Sequence, residues 1–125
     1  MPESMEIVHP LVIVAVSPQG ADPALLREIL WGLEEESVPF RVVELPGSCE
    51  QMAQEASLIS PLGAGVAIGE DGWVIVQHRR LPRSKPLFRL LIRGCPPRLV
   101  RELGANAARL VKGIPFKLAG SEESR

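Results

Sequence analysis

The six residues Leu11 to Val16 (LVIVAV) are apolar without interruption, and four of them are β-branched. A run this short cannot cross a bilayer, and β-branched side chains pack well on a pleated surface. It therefore reads as a central strand covered on both faces, which demands packing layers above and below it. Ser17-Pro18-Gln19-Gly20 ends the run. Asp22 followed by Pro23 then reads as an N-cap with proline in the first helical position. It opens a helix with Leu26, Ile29, Leu30 and Leu33 on one stripe and Pro39 as its stop.

The remaining segments continue this alternation. Phe40 to Leu45 (FRVVEL) predicts a second strand, and Ser48 a cap for a helix running through Met52, Ala56 and Ile59 to Pro61. Ala64 to Ile68 and Trp73 to Gln77 are short strand-forming runs on either side of Gly69-Glu70-Asp71-Gly72, a tight hairpin signal that sets the second antiparallel to the first. A proline-punctuated stretch, Leu81 to Pro86, leads to a fifth strand over Leu87 to Ile92. Pro96-Pro97 opens a last helix, with Leu99, Leu103 and Leu110 on one stripe and Gly113 as its C-terminal cap. The expected fold is a single three-layer α/β/α domain with a five-stranded, mostly parallel mixed sheet containing one antiparallel strand. The domain is expected over residues 10–117, with an N-terminal extension over 1–9 and a flexible tail over 118–125.

A chain of 125 residues can bury roughly two-thirds of the surface its unfolded form exposes, so it needs neither a disulfide nor a metal to fold. Fourteen Lys and Arg against fifteen Asp and Glu leave a formal charge of -1. That balance argues against broad binding to nucleic acid or an anionic membrane. Met1 to Pro10 carries Glu3 and Glu6 and no basic flank, unlike a secretory signal. The expected location is the cytoplasm. Cys49 and Cys95 are the only cysteines, too few for a disulfide framework, and they read as buried or inert thiols.

Catalytic chemistry needs convergent reactive groups, and few are available. His9 lies at the edge of the first strand and His78 after the fourth, neither beside a nucleophile in a known motif. Gly63, Gly65 and Gly69 superficially resemble a dinucleotide fingerprint. They flank a strand, however, whereas phosphate cradling places glycines between strand and helix. A rival function uses the crevice that doubly wound sheets form at the carboxyl ends of their parallel strands, here near Ser17 to Gly20, to hold a small molecule. A third reading is a structural adaptor.

Glu34-Glu35-Glu36 falls at the C-terminal end of a helix, where the macrodipole disfavours negative charge by roughly 0.3 to 1 kcal/mol per unpaired carboxylate. At about 100° per residue, Glu35 lies roughly opposite the Leu26, Leu30 and Leu33 stripe, with Trp31 and Glu28 on the same outward side. An outward tryptophan near an outward carboxylate suits an interface anchor; a solvated helix end is the alternative. Asn106 lies seven residues after Leu99, within the apolar stripe of the last helix, where a polar amide needs partners. Either it bonds a neighbour inside the fold or the stripe faces another subunit. Gly104, Ala105, Ala107 and Ala108 make this helix thin enough for close approach.

Gly32-Leu33-Glu34-Glu35-Glu36-Ser37-Val38-Pro39-Phe40, Ser60-Pro61-Leu62 through Gly65-Val66-Ala67-Ile68, and Leu81-Pro82 with Ser84 and Pro86-Leu87-Phe88 are three motif-like stretches. A fourth runs from Gly104-Ala105-Asn106-Ala107-Ala108-Arg109 through Leu110-Val111-Lys112-Gly113 to Ile114-Pro115-Phe116. Together they resemble the small subunit of diol and glycerol dehydratase-reactivating factors, over about Leu11 to Phe116. The last motif is long and specific. Gly104-Ala105-Asn106 stands where such proteins often carry two asparagines, and Cys95 to Glu102 matches them poorly. The medium subunit of the dehydratase itself is also similar, but is longer at its start and ends differently.

The resemblance implies a non-catalytic subunit that pairs with a large, actin-like ATPase subunit in an α2β2 assembly. Such factors use ATP to release damaged cobalamin from adenosylcobalamin-dependent dehydratases, the small subunit exchanging between the two partners. It implies that Glu35 reaches a divalent metal, Mg²⁺ or Ca²⁺, held mainly by the large subunit, and that this chain alone holds no cofactor. Glu28, Trp31, Glu35 and Asn106 form the expected partner interface.

Overall fold

Burial of the first strand on both faces organises the domain. The computed structural model describes residues 11–92 and 95–113. The expected extension and tail, and Ile114 to Phe116 of the ending motif, lie outside the described residues. Strand β1 (Val12–Val16) pairs in parallel with β2 (Phe40–Glu44) on one side and β3 (Ala64–Ile68) on the other. Strand β4 (Trp73–His78) runs antiparallel to β3, and β5 (Phe88–Leu91) antiparallel to β4. The sheet order is β2-β1-β3-β4-β5, so β4 alone opposes the other four strands, as expected. The β3–β4 hairpin closes through Gly69 N–H donating to Trp73 O at 2.8 Å.

Period-two alternation sorts the sheet into two cores. Val12, Val14, Val66 and Val76 face the layer built from α1 (Pro23–Glu35) and α3 (Pro97–Lys112), meeting Ile29, Leu33, Leu103 and Ala107. Ile13, Ala15, Ala67 and Ile75 face α2 (Cys49–Ile59) through Met52, Ala53 and Ala56. The caps are the expected ones. Asp22 accepts from Ala24 N–H at 2.9 Å, Ser48 and Gln51 form a reciprocal capping box, and Gly113 ends α3 in the left-handed conformation at φ 72°. No helix among the described residues is long and apolar enough to cross a membrane.

Two contacts fix where the helices sit. Ser60, 1% exposed, donates to Leu11 O at 2.6 Å and accepts from Leu62 and Ala64 N–H at 3.2 and 3.0 Å, tying the end of α2 to β1 and β3. Ser60→Ala leaves a partly buried carbonyl and a buried amide without that partner. We expect a loss of about 2 kcal/mol, a Tm lower by about 10 °C in thermal denaturation. The second contact is between α1 and α3: Gly32 lies against the backbone of Arg101 and Ala105, and Gly104 against that of Ile29, with no room for a Cβ at either position.

Candidate functional site

The close crossing sets the outward face of α1. α3 approaches on the Gly32 side, turning Ile29, Gly32 and Leu33 inward and bringing the flank that carries Glu28 and Glu35 alongside Arg101. Glu28, expected to face outward, is therefore corrected: its side chain is 15% exposed and accepts from Arg101 Nε at 2.9 Å. Glu35 remains 45% exposed, its Oε2 3.5 Å from Arg101 Nη1. Trp31 faces outward at 42% exposure, with the guanidinium carbons of Arg27 and Arg101 5.6 and 5.1 Å from its ring centroid. Arg101 thus touches all three, and its bonds to Glu28, with smaller help from Glu35, raise its pKa further above the ordinary arginine value.

Asn106 departs from the expected interface set. It is 4% exposed, because every residue from Leu103 to Ala108 is buried and that stretch of α3 is enclosed all round. Of the two alternatives its position leaves open, the folded chain takes the internal one.

The acidic helix end finds its cations within the domain. Glu36 accepts from Arg109 Nη2 and Nε at 2.9 and 3.0 Å and from Lys112 Nζ at 3.2 Å, while Lys112 also donates to Glu36 O at 2.8 Å. Sequence reasoning misses these cations because they lie 73 and 76 residues away. The spacing of Arg101, Arg109 and Lys112 along one side of α3 is the signal that points to them. Burial works against ionisation of Glu36, but the hydrogen bonds from Lys112 and Arg109 outweigh it and hold its carboxyl below the ordinary 4.5.

The folded carboxyl therefore ionises at lower pH than the unfolded one. Its stabilisation is complete above about pH 5 and disappears as the pH falls through the folded value. Glu36→Gln should lower stability by about 1–2 kcal/mol at pH 7, with the gap from wild type closing on acidification in parallel melts.

The rival crevice lies where the fold places it, at the carboxyl ends of β1 and β3. It is a cleft of about 90 Å³ lined by Ser17, Ser48, Cys49, Met52, Gly69 and Asp71, well below the roughly 300–1,000 Å³ of a typical small-molecule pocket. The polar groups of Ser17, Ser48 and Cys49 are engaged by their neighbours. Ser17 Oγ donates to Gln19 Oε1 at 2.7 Å, and Ser48 caps its own helix. Cys49 Sγ lies 3.6 and 3.4 Å from Ala67 O and Trp73 O, and burial, followed by the charge of Asp71, pushes its thiol up to about 12. His78 Nδ1 accepts from Arg80 N–H at 3.1 Å, and among the described residues no three His, Cys, Asp or Glu side chains gather as a metal-ligand set.

The resemblance read from the motifs is borne out. Residues 9–117 match the dehydratase medium subunit family. The diol dehydratase-reactivating factor small subunit of Klebsiella michiganensis is 42% identical over 114 residues, 90% of this chain and 88% of that protein. The propanediol dehydratase-reactivating factor small subunit of Salmonella typhimurium is 38% identical over 109 residues, 86% of this chain and 90% of that one. Among solved structures, a glycerol dehydratase reactivase superimposes with a TM-score of 0.80 at 31% identity, covering 86% of this chain and 96% of that chain. A diol dehydratase-reactivating factor complexed with ADP and Mg²⁺ gives a TM-score of 0.76 at 39% identity, covering 87% and 97%. With a family match across nearly the whole domain and relatives this similar over most of their length, the chain belongs to the dehydratase medium subunit family, alongside the small subunits of diol dehydratase-reactivating factors.

Proposed function

We propose that this chain is the non-catalytic small subunit of a cytoplasmic, ATP-dependent reactivating factor. It pairs with a large, actin-like ATPase subunit in an α2β2 assembly. It then passes to an adenosylcobalamin-dependent diol or glycerol dehydratase as damaged cobalamin is released. The observation that carries this reading is the outward face of α1. There an exposed Trp31 is held between two arginines beside a half-exposed Glu35. A rigid aromatic with a charged companion is the composition of an association anchor. Glu28 acts from behind, fixing Arg101 against the ring.

A shared Mg²⁺ or Ca²⁺ suits the oxygen donor that this face presents. Hard cations need several oxygen ligands, and Glu35 offers one accessible carboxylate whose contact with Arg101 is long. It fits as a single ligand contributed to an ion held mainly by the large subunit. Such an ion would supply attraction across the interface, while Arg101 and Glu28 keep the carboxylate and Trp31 in place.

Native mass spectrometry of the chain co-expressed with a large reactivase subunit, with and without Mg²⁺, ATP and cobalamin-blocked dehydratase, tests the reading. A heterotetramer that gives up this chain to the dehydratase when ATP is added is the expected result. A persistent monomer carrying its own small ligand overturns it.

A further inference from the structure

The near-neutral net charge conceals a strong segregation. From Arg79 to Arg101 the sequence contains no Asp or Glu, and eight of its fourteen Lys and Arg lie there. Four of these, Arg79, Arg80, Arg83 and Lys85, are exposed on the loop between β4 and β5. None of the four is paired with a carboxylate among the described residues, where the ion pairs engage Arg89, Arg101, Arg109 and Lys112.

The loop has an internal framework. Gln77, 1% exposed, donates from Nε2 to Pro82 O at 3.1 Å, Lys85 N–H donates to Pro82 O at 3.0 Å, and Leu81 N–H to His78 O at 3.0 Å. Gln77 points to the same side of β4 as Ile75, so its bond lays the loop over the α2 face of the sheet. One end of the loop reaches the end of α2, where Arg79 Nη2 donates to Pro61 O at 2.9 Å. Further along, Arg83 and Ser84 line one open cavity with Ser48, Glu50 and Gln51 at the start of α2. The loop therefore runs along the flank of α2 for the length of the helix.

That flank adjoins the largest concentration of exposed aliphatic side chains among the described residues. Leu58 is 56%, Ile59 44% and Leu62 46% exposed, at the end of α2 and just beyond it. The nearby carboxylates are Glu50, which pairs with Arg89 at 3.6 Å, and the exposed Glu55, so cations remain in excess. An apolar centre with a polar, charged rim is the anatomy of a protein interface, and unpaired rim charges speed encounter with a partner of opposite sign.

We propose that the outer side of α2 and the β4–β5 loop form a second protein-docking surface, whose partner is an apolar protein surface rimmed by carboxylates, carried by the dehydratase. The choice of partner rests on the reading above, in which the outward face of α1, with α3 packed beside it, meets the large subunit. The sheet separates those helices from α2, so one surface stays open while the other is occupied. The chain can then be held by both partners at once during transfer.

The test measures binding of purified diol dehydratase to the complex of this chain with its large subunit, using Arg80→Glu/Arg83→Glu and Leu58→Ser/Leu62→Ser variants. All four side chains are exposed, and melts of the isolated variants verify folding. The expected result is dehydratase binding at least about tenfold weaker in both variants, the wild-type affinity falling as salt rises, and assembly with the large subunit unchanged. Wild-type dehydratase binding in both folded variants overturns the proposal. So does loss of large-subunit assembly in either, or a charge-reversal effect confined to single-stranded DNA or anionic vesicles. Trp31→Ala reports separately on the first surface: if it leaves assembly intact while the loop variants lose the dehydratase, the reading of α1 fails and the docking surface stands.

Discussion

Gly104→Ala is expected to destabilise the domain by about 2–4 kcal/mol, even though alanine is the better helix former by roughly 1 kcal/mol. The added methyl would meet the carbonyl and Cα of Ile29, and backbone cannot rotate aside as a flexible side chain does. The helices must separate, loosening the layer that packs Ile29, Leu33, Leu103 and Ala107 on the sheet. Calorimetry should register a Tm lower by about 10 °C or more. Gly32→Ala, facing Arg101 O and Ala105 N, should behave alike. The double variant should cost less than the two losses combined, because one methyl already opens the gap for the other. Small, additive losses would mean that the crossing is not tight.

Trp31→Ala should have the opposite profile. The ring is 42% exposed and held by two arginines rather than by the core, so the isolated domain should melt within about 2 °C of wild type. Association with the large subunit should weaken by about 2 kcal/mol, roughly thirtyfold in Kd by titration calorimetry. Glu35→Gln should also leave the melt unchanged, since an exposed ion pair contributes little, and should reduce only the metal-dependent part of association. A Trp31→Ala variant that melts early yet binds normally would place the ring in the core's service instead of the partner's.

The order of elements along the chain, the caps and the single reversed strand are legible in the sequence because each rests on local chemistry. LVIVAV admits little besides a buried strand, Gly69 to Gly72 a hairpin, and Ser48 a helix start. The outward direction of Trp31 is legible for the same reason, through helical periodicity. The burial of Glu28 is not, because it depends on which flank of α1 receives α3. That flank is chosen by Gly32 and Gly104 meeting across more than seventy residues of chain. The cations at the acidic helix end escape sequence reading by the same route: Arg109 and Lys112 belong to a helix whose nearness to Glu36 exists only in the folded domain. Asn106 shows the limit of a one-stripe description, since a helix enclosed all round has no partner-facing side in that turn.

The thiol of Cys49, lodged beside Ala67 O and Trp73 O with its pKa near 12, has a practical consequence at the bench. Maleimides and iodoacetamide attack the thiolate, which is scarce at this residue at neutral pH. Cys49 should therefore stay unmodified while the domain is folded and react once it opens, a built-in chemical reporter of unfolding that requires no engineered label.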